Sequence, residues 1–334
     1  MSDPVLRGEH IGKVFPVSRD LLGRGTHWLS ALEDVSFTLE RGHSLGVVGE
    51  SGSGKSTLAR ILVGLLPPTS GRILLNGRDV SERQRSWTSE VRRRVQIIFQ
   101  DPYSSLDPRM RLREIITEGM WYSGLGTRQK EQRAYELLEQ VGLSSSVGSN
   151  YPHQLSGGQR QRVGIARALA ANPDVLIADE PVSALDVSVQ GQILNLLRRL
   201  QREHNLTLLF ITHDLAVARH MADSIVVMHM GKIVESAPTE KLFLKPLHPY
   251  TQALLSASLV FGRPRTARIV LEGDLANPVD PPRACRFASR CFRRIDRCSK
   301  EDPRLEPGAS SDHLLACFNW VEMEKESNAA SRAG

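Results

Sequence analysis

The chain has 334 residues, of which 40% are hydrophobic and 24% are charged, and its formal net charge is +6. This ordinary globular composition excludes disordered, collagen-like and coiled-coil proteins. The length predicts two domains, or one large α/β domain with an appendage. The mild positive charge and the aromatic content of 5% give no indication of a nucleic-acid partner, so none is expected.

The sequence carries no signal for a membrane span or for secretion. No apolar run approaches the roughly 18 residues that a membrane-spanning helix needs, and the first residues do not form a basic and then apolar signal region. The four cysteines all lie after residue 284 and are too few for a secreted disulfide framework. We therefore expect a protein of a reducing cytosol.

Hydrophobic periodicity predicts the elements of the first third of the chain. A polar loop is expected at residues 16–30, and a helix that two prolines terminate is expected at 57–65. The predicted strands of this part lie at residues 5–15, 35–39, 45–48 and 95–99.

A glycine-rich motif follows the strand at 45–48. It reads Gly49-Glu-Ser-Gly-Ser-Gly54-Lys55-Ser56 and matches G-x-x-x-x-G-K-[ST] between a strand and a helix. The glycines let successive N–H groups point at phosphates, and the helix start adds its positive dipole end. Lys55 is expected to reach the β/γ-phosphates, and the Ser56 hydroxyl is expected to ligate Mg²⁺.

The alternative for this motif is a purely structural turn. Its four fixed positions match by chance in about one chain of this length in a hundred, and the strand–turn–helix context lowers that further. We therefore predict a nucleoside-triphosphate site whose contacts come from Gly49, Glu50, Ser51, Gly52, Ser53, Gly54, Lys55, Ser56 and Thr57.

The remainder of the chain is predicted to begin with a helical stretch, after which strands and helices alternate. Residues 101–171 are predicted to be mainly helical, as an inserted subdomain, with helices at 112–120, 128–141 and 158–171. Beyond them lie predicted strands at 175–178, 207–212 and 225–228 and predicted helices at 187–203 and 215–221. Such alternation predicts a mainly parallel sheet with helices on its faces.

Two carboxylates end the buried strand at 175–178. Asp179 fits an aspartate that anchors Mg²⁺, and Glu180 lies where a base would orient an attacking water. Taken alone, such a pair is more typical of a solvated turn or a helix cap.

The sequence Leu155-Ser-Gly-Gly-Gln159 decides between these alternatives. With a P-loop before it and the Asp-Glu strand after it, the chain resembles an ATP-binding cassette (ABC) ATPase. The resemblance implies that two cassettes form a head-to-tail dimer with two ATP molecules between them. The γ-phosphate held by the partner's P-loop would then contact the residues of this motif, Ser156, Gly157, Gly158 and Gln159.

The resemblance also implies roles for further residues. Gln100 matches the glutamine that senses Mg²⁺ and the membrane partner, residues 183–186 match the loop that crosses the dimer interface, and His213 matches the histidine that contacts the γ-phosphate. Phe15 falls where the family stacks an aromatic ring on adenine, although a core side chain is the alternative. The catalytic residues would be Glu180, His213 and Gln100, and the Mg²⁺ ligands would be Ser56, Gln100 and Asp179.

Three features resemble the ATPase subunits of bacterial dipeptide/oligopeptide importers. They are the polar loop before residue 31, the segment from Phe99 to Arg109, and Leu247-His-Pro-Tyr-Thr-Gln with the cysteine-containing segment after it. The resemblance implies a peripheral protein on the cytoplasmic face of the bacterial inner membrane. Its partners would be two permease subunits, a second ATPase (a paralogue or a second copy) and, indirectly, a solute-binding protein.

The implied activity is ATP-driven uptake of dipeptides or oligopeptides. Glutathione or a nickel chelate remains an alternative cargo. A soluble ABC ATPase of translation or repair is much less favoured, because the chain has one P-loop and residues 101–171 are too short for a long coiled coil.

The cysteines, Cys285, Cys291, Cys298 and Cys317, follow neither a zinc-ribbon nor a ferredoxin spacing. The residues alone leave free thiols, a disulfide or a shared ligand open. The resemblance favours a [4Fe–4S] cluster, which some importers of this kind hold. Its negative charge would be offset by Arg283, Arg286, Arg290, Arg293, Arg294 and Arg297.

Together these observations predict an α/β P-loop ABC fold. It would combine a parallel core sheet, an N-terminal antiparallel β portion, the helical subdomain and a cysteine-containing C-terminal extension. The expected domains are a nucleotide-binding domain over 1–245, an importer-type extension over 246–321 and a flexible tail over 322–334.

Overall fold

The computed structural model describes residues 4–19, 25–81, 89–121, 123–258, 269–273, 277, 279–281 and 283–321. The predicted tail at 322–334 lies outside these residues. Within the described part of the chain, no helix combines the length and the apolar character needed to cross a bilayer.

The elements alternate as expected for an α/β protein. The strands are β1 (Pro4–Arg19), β2 (Gly25–Glu40), β3 (Ser44–Val48), β4 (Ser70–Leu75), β5 (Arg78–Asp79), β6 (Val95–Ile98), β7 (Val175–Asp179), β8 (Thr207–Thr212), β9 (Ser224–His229), β10 (Lys232–Pro238), β11 (Glu306–Ser310) and β12 (His313–Leu315). The α-helices are α1 (Lys55–Leu62), α2 (Ser89–Arg94), α3 (Leu112–Glu118), α4 (Thr127–Gln140), α5 (Gly157–Ala170), α6 (Val187–His204), α7 (Leu215–Met221), α8 (Thr239–Leu244) and α9 (Pro249–Ala257).

The larger sheet has the strand order β11-β12-β10-β9-β3-β8-β7-β6. From β9 to β6 the neighbouring strands pair in parallel, whereas β10, β11 and β12 pair antiparallel at one side. Every residue of β3, β7 and β8 is buried, because helices cover both faces of a parallel sheet. The predicted α/β fold with a parallel core is confirmed.

The smaller sheet is antiparallel and has the order β2-β1-β4-β5. It confirms the N-terminal β portion, but the predicted polar loop at 16–30 is wrong in extent. Strand β1 continues to Arg19 and β2 begins at Gly25, with Phe15 opposite Leu29 and Pro16 opposite Trp28. The error has a physical cause, since residues 16–30 are rich in polar residues and glycine, a composition typical of a loop, whereas main-chain pairing extends both strands.

The predicted helical subdomain is present between β6 and β7. Helices α3, α4 and α5 pack through buried aliphatic side chains such as Ile115, Leu138 and Ile165. The same hydrophobic cluster continues to Leu196 of α6 and Leu208 of β8. The subdomain is therefore attached to the face of the large sheet that α6 covers.

The segment after residue 245 packs directly on the cassette. Strand β12 pairs with β10, and Tyr250 and Phe287 share a hydrophobic cluster with Val48 of β3. The strand β10 and everything after it were not predicted as elements. The division at residue 245 stays a prediction, although the two parts share one sheet.

A fully buried carboxylate joins this segment to the sheet. Glu235 of β10 accepts hydrogen bonds from the main-chain N–H groups of Leu247 at 2.7 Å and His248 at 3.1 Å. Its Oε1 atom also lies 2.7 Å from Nε2 of His313 in β12. A carboxylate with no exposed surface requires such partners, so Glu235 fixes three separate parts of the chain.

Candidate nucleotide site

The turn between β3 and α1 positions Lys55 under a loop of main-chain groups. The Lys55 ammonium is buried and donates to the carbonyl oxygens of Gly49 at 2.7 Å and Glu50 at 2.9 Å. Its Nζ lies 3.9 Å from Oε1 of Glu180. Burial lowers the pKa of Lys55, and the nearby carboxylates oppose that shift.

Gly54 precedes α1 with φ 102 and is the residue that lets the loop close on the helix. A Cβ atom at this position would lie 2.6 Å from the carbonyl oxygen of Ala31. Both the backbone angle and the lack of space therefore require glycine here.

Asp179 ends β7 beside the start of α1. The Ser56 hydroxyl donates to its Oδ1 at 3.1 Å. Burial is the main cause that raises the pKa of Asp179, and a bound cation would favour its ionised form. A buried carboxylate next to a hydroxyl, both at the phosphate loop, is a donor set that suits Mg²⁺.

Glu180 follows with a backbone in the left-handed region, at φ 45. Such strain in a non-glycine residue is concentrated at functional sites. The Oε2 atom of Glu180 accepts a hydrogen bond from Gln100 Nε2 at 3.2 Å and lies 3.2 Å from Nδ1 of His213. Three residues from three different strand ends thus meet at one carboxylate oxygen.

These groups surround a cavity of about 960 Å³. Three predicted site residues do not line the cavity but contact residues that do. Gly49 and Ser53 accept hydrogen bonds from Lys55, and Asp179 accepts one from Ser56. The predicted site residues that line the cavity are Phe15, Glu50, Ser51, Gly52, Gly54, Lys55, Ser56, Thr57, Gln100, Glu180 and His213.

The predicted signature residues lie elsewhere. Ser156 caps α5, because its hydroxyl accepts from the N–H of Gln159 at 3.3 Å and the Gln159 side chain accepts from the N–H of Ser156 at 3.0 Å. Neither Ser156, Gly157, Gly158 nor Gln159 lines the cavity. The N-terminus of α5 therefore lies outside the cavity that this chain's own P-loop lines.

Comparisons with known proteins agree with this geometry. Residues 32–183 match the family model described as ABC transporter, and residues 234–298 match the model described as oligopeptide/dipeptide transporter, C-terminal region. The chain is 50% identical to the probable peptide ABC transporter ATP-binding protein y4tS of Sinorhizobium fredii, over 92% of this chain and 88% of that protein. The chain belongs to the ABC transporter ATPases.

Two further relatives and one solved structure extend the comparison. The oligopeptide transport ATP-binding protein AppF of Bacillus subtilis is 46% identical over 94% of this chain and 97% of its own length. The dipeptide transport ATP-binding protein DppF of Haemophilus influenzae is 43% identical over 95% and 97%. The dimeric ATP-binding cassette MJ0796, bound to ADP and Pi, superposes with a TM-score of 0.62 at 28% identity, over 70% of this chain and 98% of that one.

Membership of this family makes the chain an ABC-type ATPase that uses ATP and Mg²⁺. The cassette also contains lining residues that the sequence analysis did not identify as part of the site. Met230 follows β9 and Leu254 belongs to α9, and both line the cavity. Leu254 lies four residues after Tyr250 of the His-Pro-Tyr segment. That segment was noticed in the sequence, but it indicated only the importer subfamily and not a part of the site.

The four cysteines are free thiols. Burial is the main cause that raises the pKa of Cys285 to about 11 and that of Cys317 to about 12, and the other three thiols add to the shift of Cys317. Among the described residues, no three His, Cys, Asp or Glu side chains are placed to hold a single metal ion.

The arginines near the thiols have several partners, and their role in balancing the charge of a cluster stays a prediction. Three of the six arginines pair with carboxylates, namely Arg286 with Glu33, Arg290 with Glu50 and Arg297 with Glu301. Arg293 and Arg294 do lower the pKa of Cys291, although burial raises it overall.

We expect Gly54→Ala to destabilise the cassette more than Gly52→Ala. Gly52 has φ 79, but a methyl group on its Cα would meet no described atom within 4 Å, so its substitution costs about 1–2 kcal/mol of backbone strain. Gly54→Ala adds the contact with Ala31, worth about 1–3 kcal/mol more. Urea unfolding without nucleotide measures both. Equal losses would contradict the steric role of Gly54.

Proposed function

We propose that this cassette drives peptide import by coupling ATP hydrolysis to two membrane permeases. The observation that carries the proposal is the match of residues 234–298 to the oligopeptide/dipeptide transporter C-terminal region. Relatives that align over most of the chain are named for peptide, oligopeptide and dipeptide transport. The cargo proposed is therefore a dipeptide or an oligopeptide.

The proposed chemistry assigns a task to each group of the cavity. Lys55 and the main-chain N–H groups of residues 49–56 hold the phosphates, while Phe15 faces the adenine. Ser56, Asp179 and Gln100 are the groups that would hold Mg²⁺, which neutralises phosphate charge when bound. Glu180 orients the attacking water and receives its proton. His213 and Gln100 orient the Glu180 carboxylate, and His213 also contacts the γ-phosphate.

A second cassette is part of the proposal. The signature residues cap α5 away from the cavity of their own chain, and Gly157 lies against Leu185 of the loop at 183–186. Val187 at the start of α6 is 84% exposed. A partner cassette, either a second copy or a paralogue, would cover this surface and present its own bound ATP to Ser156 and its neighbours.

The permeases are proposed to dock beside the helical subdomain. A groove of about 1090 Å³ lies between α2, α4 and the end of α5, and Arg93, Leu125 and Arg128 line it. Helix α2 continues directly into β6, which ends two residues before Gln100. A short cytoplasmic helix of a permease in this groove would therefore be mechanically connected to the residue that contacts Glu180. The proposed docking would hold the cassette at the cytoplasmic face of the inner membrane.

We further propose that the cysteines hold a [4Fe–4S] cluster. A tetrahedral zinc site with Zn–S bonds of about 2.3 Å needs a much tighter group of ligands than the described residues provide. Yet burial and then the thiols of Cys291, Cys285 and Cys298 all raise the pKa of Cys317, so these three thiols lie within electrostatic reach of it. Four cysteine thiolates are the ligand set that a [4Fe–4S] cluster uses, and this donor chemistry supports the proposal.

Glu180→Gln should lower kcat for ATP by about 10²- to 10⁴-fold while ATP binding is retained, because the amide cannot accept the proton of the attacking water. Phosphate release and nucleotide titration measure the two properties. Glu240→Gln, an exposed change on α8, serves as the control and should hydrolyse ATP normally. Near-normal hydrolysis by the Glu180 variant would rule out its proposed role.

The Glu180→Gln chain, tagged and captured with ATP from membranes of its own host in mild detergent, should retain two polytopic permeases and a second cassette. Leu125→Asp in the groove should abolish permease recovery, whereas Leu244→Asp, at a residue 78% exposed on α8, should not. Uptake assays with labelled peptide, glutathione and nickel chelate then identify the cargo. Recovery of ribosomes or DNA instead of permeases would contradict import.

Anaerobically purified protein should contain about four iron and four sulfide per chain. Cys298→Ser should lose most of both, because Cys298 is the most buried of the thiols. Ser299→Ala, the adjacent change, should keep them. Iron-free wild-type protein from iron-replete cells would contradict the cluster.

A further inference from the structure

Glu50 of the phosphate loop is held by residues of the C-terminal segment. Its main-chain N–H donates to the Tyr250 hydroxyl at 2.9 Å. Its carboxylate accepts two hydrogen bonds from Arg290, at 2.8 and 3.1 Å. Its carbonyl oxygen in turn accepts from Lys55 at 2.9 Å. A single residue thus connects the C-terminal segment with the lysine of the nucleotide site.

The Tyr250 contact is rigidly built. The side chain has no exposed surface, and it packs between the rings of His229 at 4.5 Å and Phe287 at 5.4 Å. The preceding His248 caps α9, because its ring accepts the N–H of Tyr250 at 3.1 Å. The hydroxyl that contacts Glu50 therefore has little freedom to move.

The Arg290 contact is a two-point charge pair in a partly enclosed place, with side-chain exposures of 12% for Arg290 and 32% for Glu50. It is the first cause that lowers the pKa of Glu50. Burial lowers the pKa of the nearby His229 to about 4, so this ring is neutral at pH 7. Arg290 is thus the cation that pairs directly with the Glu50 carboxylate.

The C-terminal segment also contacts the wall of the cavity through Arg286. Arg286 is buried and donates to the carbonyl oxygen of Met230 and to the carboxylate of Glu33. Met230 lines the nucleotide cavity, as does Leu254, which lies one helical turn after Tyr250 on α9. The C-terminal segment thus contributes both wall and anchors to the site.

We propose that Arg290 and Tyr250 are positioning residues for nucleotide binding. They fix the main chain of Glu50, whose carbonyl oxygen orients the Lys55 ammonium, and in this way they set the affinity of the cassette for ATP. The proposal rests on the proposed role of Lys55 at the phosphates. Neither residue touches Glu180 or His213 through any hydrogen bond described above, so the effect falls on binding rather than on turnover.

The test compares full-length variants by titration with Mg·ATP and by steady-state hydrolysis. Arg290→Ala and Tyr250→Phe should each raise Kd and KM for ATP by about two- to tenfold, while kcat at saturating ATP stays at the wild-type value. Arg290→Lys should lie between wild type and Arg290→Ala, because lysine keeps the charge but loses the two-point geometry. A double variant with Glu50→Gln should bind no more weakly than Arg290→Ala alone.

Arg219→Ala is the matched control, because it removes another two-point pair, with Glu240 at 3.1 and 2.7 Å, away from the cavity. It should bind ATP like the wild type. The proposal is wrong if the Arg290 and Tyr250 variants also bind ATP like the wild type. It is equally wrong if the double variant with Glu50→Gln binds ATP more weakly than Arg290→Ala alone. Should Arg290→Ala not fold, ATP binding by Arg290→Lys and Tyr250→Phe decides.

Lys55→Ala tests the premise separately, since wild-type ATP binding by that variant would refute the role of Lys55 itself.

Discussion

Because β6, β7, β8 and β3 run parallel, the segments that follow them all leave the sheet at the same edge. This pairing brings Gln100, Glu180 and His213 together with the phosphate loop, although they are far apart in the sequence. Ligands of open α/β sheets generally bind at the carboxyl ends of the strands. The polar groups of the site are thus positioned by main-chain pairing in the core, before any contact among their own side chains.

Contacts within the chain orient the charges at this edge of the sheet. Lys55 is held by carbonyl oxygens, Asp179 by a hydroxyl and Glu50 by an arginine. Groups that are already oriented lose little entropy on binding, which favours affinity. The contacts of Tyr250 and Arg290 reach Glu50 of the phosphate loop, so in our proposal the C-terminal segment belongs to the nucleotide site.

The sequence predicted those elements and site residues whose positions depend on neighbouring residues in the chain. The strand–turn–helix around Lys55 and the strand ends at Asp179 and His213 follow from short motifs with regular periodicity. The continuation of β1 to Arg19 and the start of β2 at Gly25 were missed because this stretch is rich in polar residues and glycine, and propensity is a weak guide at an exposed edge. Tyr250 and Arg290 reach Glu50 over sequence separations of 200 and 240 residues, and no local pattern encodes such a contact.

The place of β12 in the sheet has a consequence for biosynthesis. Strand β10 leaves the ribosome about 75 residues before its neighbour β12, a delay of about 4–15 s at ordinary translation rates. During this time β10 presents an unpaired edge, and the Glu235 carboxylate lacks its histidine. Exposed edges of this kind readily pair with other chains. The nascent cassette therefore exposes this strand to pairing with other chains until β12 is available.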